Sequence, residues 1–230
     1  RVPGSTEKGF HRVAWDLKMP PSQVVDAGTE KIGDDAGFMA PPGSYRVQLM
    51  KETDEGMVSL SDPRLFEVVP LHDGGVLENP LAEKRDEYWR EIEKLAMKSS
   101  VMRKEKKRLE DQITALGISV AYVRDNKEDF LDEYRSLRND FYSFKKEVDG
   151  SPSKNKIGEK TSATLGDRMW NMYASIQNST YGPTGSTVKL KAMVENDLEK
   201  LTGRLDELEK RAEAINDQIV EAGGPPVEGF

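Results

Sequence analysis

The sequence contains no cysteine and only two histidines among 230 residues. The absence of cysteine excludes disulfides, thiol nucleophiles and zinc sites with cysteine ligands. His11 and His72 are far apart in the sequence, so we do not expect a metal site that uses both. No run of about 18 apolar residues occurs, and we therefore expect no transmembrane helix. No pair of catalytic groups stands out, so we expect a non-catalytic chain without a metal or another cofactor.

Apolar residues are scarce and charged residues are abundant. They make up 36% and 33% of the chain, against about 45–50% and about 25% in a typical globular domain. This balance favours long solvated helices over a deep enzyme core. The net charge is −7, so we expect neither nucleic acid nor an anionic membrane surface as a partner.

The stretch from about residue 186 to residue 222 is predicted to be one long helix. Its apolar residues recur at steps of four and three, which is a heptad pattern. They are Leu190, Val194, Leu198, Leu201, Leu205, Leu208, Ala212, Ile215, Ile219 and Ala222. A helix of this length with a single apolar stripe needs partner helices, either from the same chain or from a second copy.

Three further helices are predicted from the same spacing of apolar residues. Their approximate ranges are 81–116, 120–148 and 163–178. Gly117 is interpreted as the C-cap of the first of them. The polar residues Ser99 and Lys106 lie in the apolar seam of that helix, so they weaken it or mark where it faces a gap or solvent.

The connections between these helices define the expected architecture. A turn of about three residues at Gly117 makes the first two helices antiparallel, and a tight turn at 179–185 does the same for the last two. We predict an elongated antiparallel bundle of three long helices and one short helix over residues 81–222. An exposed loop at 149–162 and a tail at 223–230 complete this part.

Residues 1–70 show no helical period and are predicted to be β-strands, which makes the fold class α+β. Alternation predicts a first strand over Phe10–Lys18. Three later strands have the approximate ranges 44–51, 57–60 and 65–69. We expect a partial antiparallel Ig-like β-sandwich with its missing strands upstream of Arg1, because these strands are few for a complete sandwich. A linker at 71–80 follows.

Two motifs in the β region resemble a known family. Segment 9–18 (GFHRVAWDLK) and segment 42–49 (PGSYRVQL) are similar to two strands near the C-terminus of large bacterial sortilin-like, sialidase-like β-propeller proteins with BNR repeats. Such proteins are often labelled glycosyl hydrolases. The residues that carry the resemblance are Trp15, Asp16, Leu17, Pro42, Gly43 and Tyr45.

The helical half resembles the same family. Its members close with a helix, a turn containing Pro-Thr and a long helix with a late Asn. Pro183, Thr184 and Asn216 stand at the corresponding positions. The resemblance assigns these three residues structural roles.

The resemblance implies a location and a function. The chain would be the non-catalytic C-terminal part of an exported protein, found in the periplasm, at the cell surface or outside the cell. Its β region would resemble the Ig-like fold of flagellar hook-capping proteins. It would brace the β-propeller of its parent chain or mediate protein–protein contact. The heptads also allow a homodimer through the helices.

Two other functions agree with these residues. Trp15 and Tyr45 lie on apolar strand faces, which favours core packing, but they could also form a platform for a sugar. The chain would then be a carbohydrate-binding accessory domain of a glycoside hydrolase or sialidase-like protein. Asp16 is interpreted as a structural hydrogen-bonding residue, because no partner carboxylate is placed beside it. A cytosolic coiled-coil adaptor without export is the third candidate.

Two charged clusters have a simpler and a more specific interpretation. A solvated acidic loop is favoured over a calcium site for Asp26, Glu30, Asp34 and Asp35. A solvated helix face is favoured over a contact with an acidic partner or with lipid headgroups for the basic run at 103–108.

Overall fold

A computed structural model describes residues 2–19, 37–69, 84–123, 127–159, 161–177 and 182–230. These residues form four β-strands followed by five α-helices, so the predicted mixture of α and β structure is confirmed. None of the described helices is long and apolar enough to cross a membrane. The chain divides into two compact units, one with the strands and the other with most of the helices. The predicted linker at 71–80 and the four acidic residues of the predicted loop lie outside the described residues.

The last helix, α5 (Gly185–Glu221), has the position and length that the heptads predict. Thr184 begins it, because its Oγ1 accepts a hydrogen bond from the Thr187 N–H at 3.2 Å. The buried side chains of α5 recur at steps of three and four and include the predicted stripe from Val194 to Ile219.

The first helix, α1 (Arg85–Tyr122), is longer than predicted, and the interpretation of Gly117 as its C-cap is wrong. Val120 and Val123 are buried and continue the apolar stripe beyond Leu116 at steps of four and three. Burial of these side chains outweighs the cost of about 1 kcal/mol for a glycine in a helix interior.

The second helix, α2 (Lys127–Asp149), begins later than predicted and lies antiparallel to α1. Lys106 Nζ lies 2.5 Å from Asp149 Oδ1, and Lys145 Nζ lies 2.5 Å from Glu110 Oε1. A later residue of α1 is thus paired with an earlier residue of α2, which shows that the two helices run in opposite directions. The polar members of the α1 seam face neither a gap nor solvent, because Ser99 and Lys106 are both buried.

Ion pairs also define the direction of α5 relative to its neighbours. Arg204 and Arg211 bond Glu147 and Asp140 of α2, at 2.6 and 2.7 Å, so α2 and α5 are antiparallel. Lys191 of α5 bonds Glu91 of α1 at 2.7 Å, and Arg108 of α1 bonds Glu209 of α5 at 2.9 Å. Helices α1 and α5 are therefore parallel.

The connection after α2 does not reverse the chain direction. It contains a short helix, α3 (Pro152–Lys156), where the sequence predicted only a loop. The next helix, α4 (Leu165–Gln177), places Arg168 against Asp197 of α5. Glu147 at the end of α2 contacts α5 close by, at Lys200. The two helices thus contact successive parts of α5.

In the unit that contains the strands, β1 (Gly43–Val47) pairs with β4 (Arg64–Val68), and β2 (Met50–Thr53) pairs with β3 (Gly56–Ser59), both antiparallel. The predicted strand at 44–51 is therefore two strands. Leu60 N–H donates to Leu49 O at 2.9 Å in the interrupted stretch between the two pairs. The four strands form one long hairpin whose ladder is broken part-way.

The strand predicted over Phe10–Lys18 is not formed. Its single ladder contact is an isolated bridge between Lys18 and Met39. Leu17 has a φ of 59°, in the left-handed region, which interrupts an extended strand. Alternation was therefore misleading here, because a strand also needs a neighbour along its length.

The start of α1 belongs to the same unit as the hairpin. Arg85 Nη2 donates a hydrogen bond to Met39 O at 2.6 Å. The rings of Phe38 and Trp89 lie 5.1 Å apart, and both are buried. The two rings thus belong to the apolar core of the unit, and the hydrogen bond of Arg85 ties the start of α1 to the chain beside Phe38.

Candidate interaction surface

Three aromatic rings cluster on one face of the β1–β4 pair. Tyr45 and Phe66 are directly opposite each other in the ladder, and their ring centroids are 5.8 Å apart. Trp15 lies over both, with its ring centroid 5.4 Å from Tyr45 and 6.0 Å from Phe66. None of the three rings is fully buried. The structure thus brings the predicted residues Trp15 and Tyr45 together and adds Phe66.

The polar ends of these rings are used within the chain. The Trp15 indole N–H donates to Lys18 O at 2.8 Å, and the Tyr45 hydroxyl donates to Pro41 O at 2.6 Å. A sugar platform usually offers an open ring face and polar groups that can reach the ligand hydroxyls. The ring contacts and the backbone bonds instead indicate a small, half-exposed packing cluster.

The neighbouring motif residues shape the backbone around this cluster. Asp16 Oδ1 accepts a hydrogen bond from Lys18 N–H at 3.0 Å, which is the structural bond expected of it. Leu17 O accepts from Ala40 N–H at 2.6 Å. Pro42 is exposed, and Gly43 has a φ of 153°, which few other residues adopt.

The hairpin exposes large apolar side chains over its whole length. The exposed fraction is 73% for Leu65 and 62% for Leu49. Others that are more than one-third exposed are Val47, Met50, Met57, Val58, Leu60, Phe66 and Val69. Within each strand pair, exposed apolar side chains occur on both faces, as with Phe66 and Leu65 of β4. Large apolar side chains exposed in such number are typical of protein–protein interfaces.

The motif residues of the helical half have structural positions. Thr184 is the N-cap of α5, and Pro183 before it is buried. Asn216 is buried on α5, and its Oδ1 accepts a hydrogen bond from Val227 N–H at 2.9 Å. The sequence did not predict that bond, because residues 223–230 were interpreted only as a tail.

A cleft of about 430 Å³ lies where the end of α2, the start of α4 and α5 meet. Arg168 and Lys200 line it, as do the carboxylates of Asp197 and Glu147. Arg168 is bonded to Asp197, and Lys200 to Glu147 at 3.1 Å. Two of the four cationic side chains in the lining are therefore neutralised by carboxylates of the same cleft.

Titration shifts in the helices reflect helix packing and capping. Burial and then the charge of Glu209 raise the pKa of Glu105. Burial disfavours the charged form of Lys191, but the hydrogen bonds to Glu91 and Glu195 outweigh this effect, so the pKa of Lys191 is raised.

Within the described ranges, no three metal-binding side chains form a group that could hold an ion.

The chain matches no family profile, no curated protein and no solved structure.

Phe66 belongs to the aromatic cluster but was not identified from the sequence. An aromatic residue in a predicted strand was the available signal, but its place opposite Tyr45 depends on the register of the hairpin.

Proposed function

We propose that the chain is a non-catalytic structural and interaction module whose hairpin completes a β-sheet with strands of its parent protein. In this proposal the parent is an exported β-propeller protein of the sortilin-like family that the motifs resemble. The hairpin is then part of an Ig-like sandwich, the helices form an antiparallel bundle, and the module braces the propeller.

The proposal rests on a β-hairpin whose ladders are only two strands wide. A two-stranded hairpin is marginally stable by itself, and a free strand edge is a template for pairing. The hairpin of this chain has two-stranded ladders and exposes Leu49 and Leu65 by more than half. No third strand of the described residues pairs with either ladder, so additional strands would bury these side chains and pair the strand edges.

The helices are less suited to a contact with another copy. The apolar stripe of α5 is buried against helices of the same chain, from Val194 to Ile219. A dimer through that stripe would need the intrachain contacts to open. We therefore place the contact with the parent protein on the hairpin.

The alternative is a carbohydrate-binding accessory domain, and the half-exposed rings of Trp15 and Tyr45 are the observation in its favour. It predicts that oligosaccharides shift the NMR signal of the Trp15 indole N–H. We expect no shift, because that N–H is bonded to Lys18 O and the ring contacts Tyr45 and Phe66.

Hydrogen exchange tests the main proposal. This chain is compared with a longer protein that includes the residues encoded directly before Arg1. In the β1–β4 pair, the backbone amides that point away from the partner strand should exchange at least about tenfold more slowly in the longer protein, because new strands pair with them.

Two substitutions on one face of the β1–β4 pair serve as test and control. Leu65→Ser in the longer protein should remove most of the added protection, whereas Glu67→Ser, on the same face, should retain it. Equal exchange of the outward amides in the short and long proteins contradicts the proposal.

A further inference from the structure

The chain reverses direction after α5. Gly223 has a φ of 76°, and its N–H donates to Val220 O at 3.0 Å. Gly224 N–H donates to Ile219 O at 2.8 Å. This pair of bonds is a Schellman motif, which ends the helix and turns the chain. A Cβ at Gly224 would lie 2.6 Å from Ile219 Cγ2 and 3.0 Å from Ile219 O, so the turn needs glycine there.

The turned segment is held by three side chains of α1 and α5. Ser119 Oγ donates to Pro225 O. Asn216 Oδ1 accepts from Val227 N–H at 2.9 Å. Gln112 Nε2 donates to Gly229 O at 2.7 Å. The backbone groups that are bound belong to residues 225, 227 and 229, so every second residue of the segment presents its main chain to the helices.

The spacing on α1 matches the length of the segment. Gln112 and Ser119 are separated by two helical turns, or about 10.5 Å. A fully extended backbone from residue 225 to residue 229 would span at most about 14 Å, and the turn at residues 228–229 shortens this distance. Because the later residue binds Gln112 and the earlier one binds Ser119, the segment runs antiparallel to α1.

The three side chains form a built site. Gln112, Ser119 and Asn216 are only 7%, 3% and 6% exposed. Buried polar groups are unfavourable unless they are hydrogen-bonded, and each of these has a partner in the segment. Pro225 and Glu228, by contrast, have exposed side chains. The helices therefore recognise the main chain of the segment more than its side chains.

We propose that Gln112, Ser119 and Asn216 form a peptide-binding groove whose ligand is a segment such as residues 225–229, which ends in a turn at residues 228–229 where Gly229 has a φ of 93°. The ligand class is a peptide that offers a carbonyl, an N–H two residues later and a second carbonyl two residues after that. The chain occupies the groove with its own segment, and the groove binds the same segment supplied in trans, including that of a second copy.

The direct test uses the chain ended after Gly224 and a synthetic peptide of residues 225–230 (PPVEGF). Calorimetry should show binding with one peptide per chain. A peptide with N-methylated valine at position 227 lacks the N–H that Asn216 accepts and should bind at least about tenfold more weakly. A peptide with Glu228→Lys should bind within about twofold of the original, because that side chain is exposed.

Groove variants provide the matched comparison on the protein side. Asn216→Ala in the truncated chain should weaken peptide binding at least about fivefold, the usual effect of one lost hydrogen bond. Gln218→Ala, at an exposed position of the same helix, should leave binding unchanged. A truncated chain that keeps its helical circular dichroism but binds no peptide overturns the proposal.

If truncation unfolds the protein, the proposal is tested by hydrogen exchange in the complete chain. Exchange of the Val227 amide should accelerate at least about fivefold in Asn216→Ala and remain unchanged in Gln218→Ala. Excess PPVEGF peptide should also accelerate it in the unsubstituted chain, because the free peptide displaces the bound segment. A Val227 amide whose exchange responds neither to Asn216→Ala nor to the peptide overturns the proposal.

Discussion

Tyr134 of α2 packs directly against the backbone of Gly117 in α1. A Cβ built at Gly117 would lie 2.4 Å from Tyr134 Oη and 2.7 Å from Tyr134 Cζ. The glycine therefore marks a close approach of two helices, where the sequence suggested a helix end. Helix α1 accepts it because the buried residues on both sides maintain the helix.

Gly117→Ala should destabilise the protein by about 1 kcal/mol in urea unfolding. Alanine is the better helix former by about 1 kcal/mol, but the added Cβ displaces the tyrosine ring, and overpacking typically costs about 1–3 kcal/mol. Gly203→Ala is the control, because Gly203 lies in α5 with open space around its Cβ. That substitution should stabilise by roughly 0.5–1 kcal/mol.

A double-mutant cycle separates the two effects at Gly117. In a Tyr134→Ala background, Gly117→Ala should become stabilising, because the clash is gone and the helix preference remains. The same destabilisation in both backgrounds would disprove the contact with Tyr134 as its cause.

Asp149→Ala should destabilise the protein by about 1–2 kcal/mol, because it leaves the buried Lys106 without its carboxylate partner. Lys106→Met in the same background should restore about 1 kcal/mol, since methionine fills the apolar seam without a charge. The control is Asp111→Ala, which removes an exposed pair with Lys107 and should change stability by less than about 0.5 kcal/mol. Equal effects of Asp149→Ala and Asp111→Ala would show that burial of Lys106 does not matter.

Asp167→Ala should weaken the start of α4 in a pH-dependent manner. The N–H and then the hydroxyl of Thr164 hold the pKa of Asp167 below its ordinary value of 3.8. The carboxylate therefore stabilises the fold above that value, and this contribution is lost as the pH falls through the lower folded pKa. The difference between Asp167→Ala and the unsubstituted protein, about 1 kcal/mol at pH 7, should shrink steadily at acid pH.

Urea unfolding between pH 7 and pH 3 measures this difference. Glu199→Ala, at an exposed position of α5, is the control and should cost nothing at either pH. A difference for Asp167→Ala that stays constant over the range would show that the carboxylate charge makes no contribution.

Thr184→Ala should destabilise the protein by about 1 kcal/mol, because α5 loses the side chain that caps its first turn. Thr184→Ser retains the hydroxyl and should preserve most of the stability. Thermal unfolding of the three proteins measures the effect, and a serine variant as unstable as the alanine variant would rule out the cap as its cause.

The helices show how much of the fold the spacing of apolar residues can predict. The buried residues of α5 from Val194 to Ile219 repeat at the predicted steps, because a long helix can bury only one stripe. The same logic located α4 within a few residues. It failed at Gly117, since a glycine inside a helix and a glycine after its end look alike until the neighbouring helix is placed.

The candidate surface was less predictable. Trp15 and Tyr45 were identified, but their contact with Phe66 follows from a register that slips between the strand pairs, with two residues (48–49) on one side and four (60–63) on the other. The turn at residues 54–55 by itself would place Arg64 opposite Tyr45. Local patterns do not contain such a slip, because it depends on which cross-strand pairs pack best.

By itself the sequence determined the mixed α and β composition, the long helix α5 and the stripe it buries. These features arise from local spacing and from the chemistry of single side chains. Only the tertiary structure decided that α1 continues past Gly117, that α4 follows α2 along α5, and that Asn216 binds the turned-back segment. Each of these depends on contacts between residues distant in sequence, and their free energy outweighs the local preferences that a sequence pattern records.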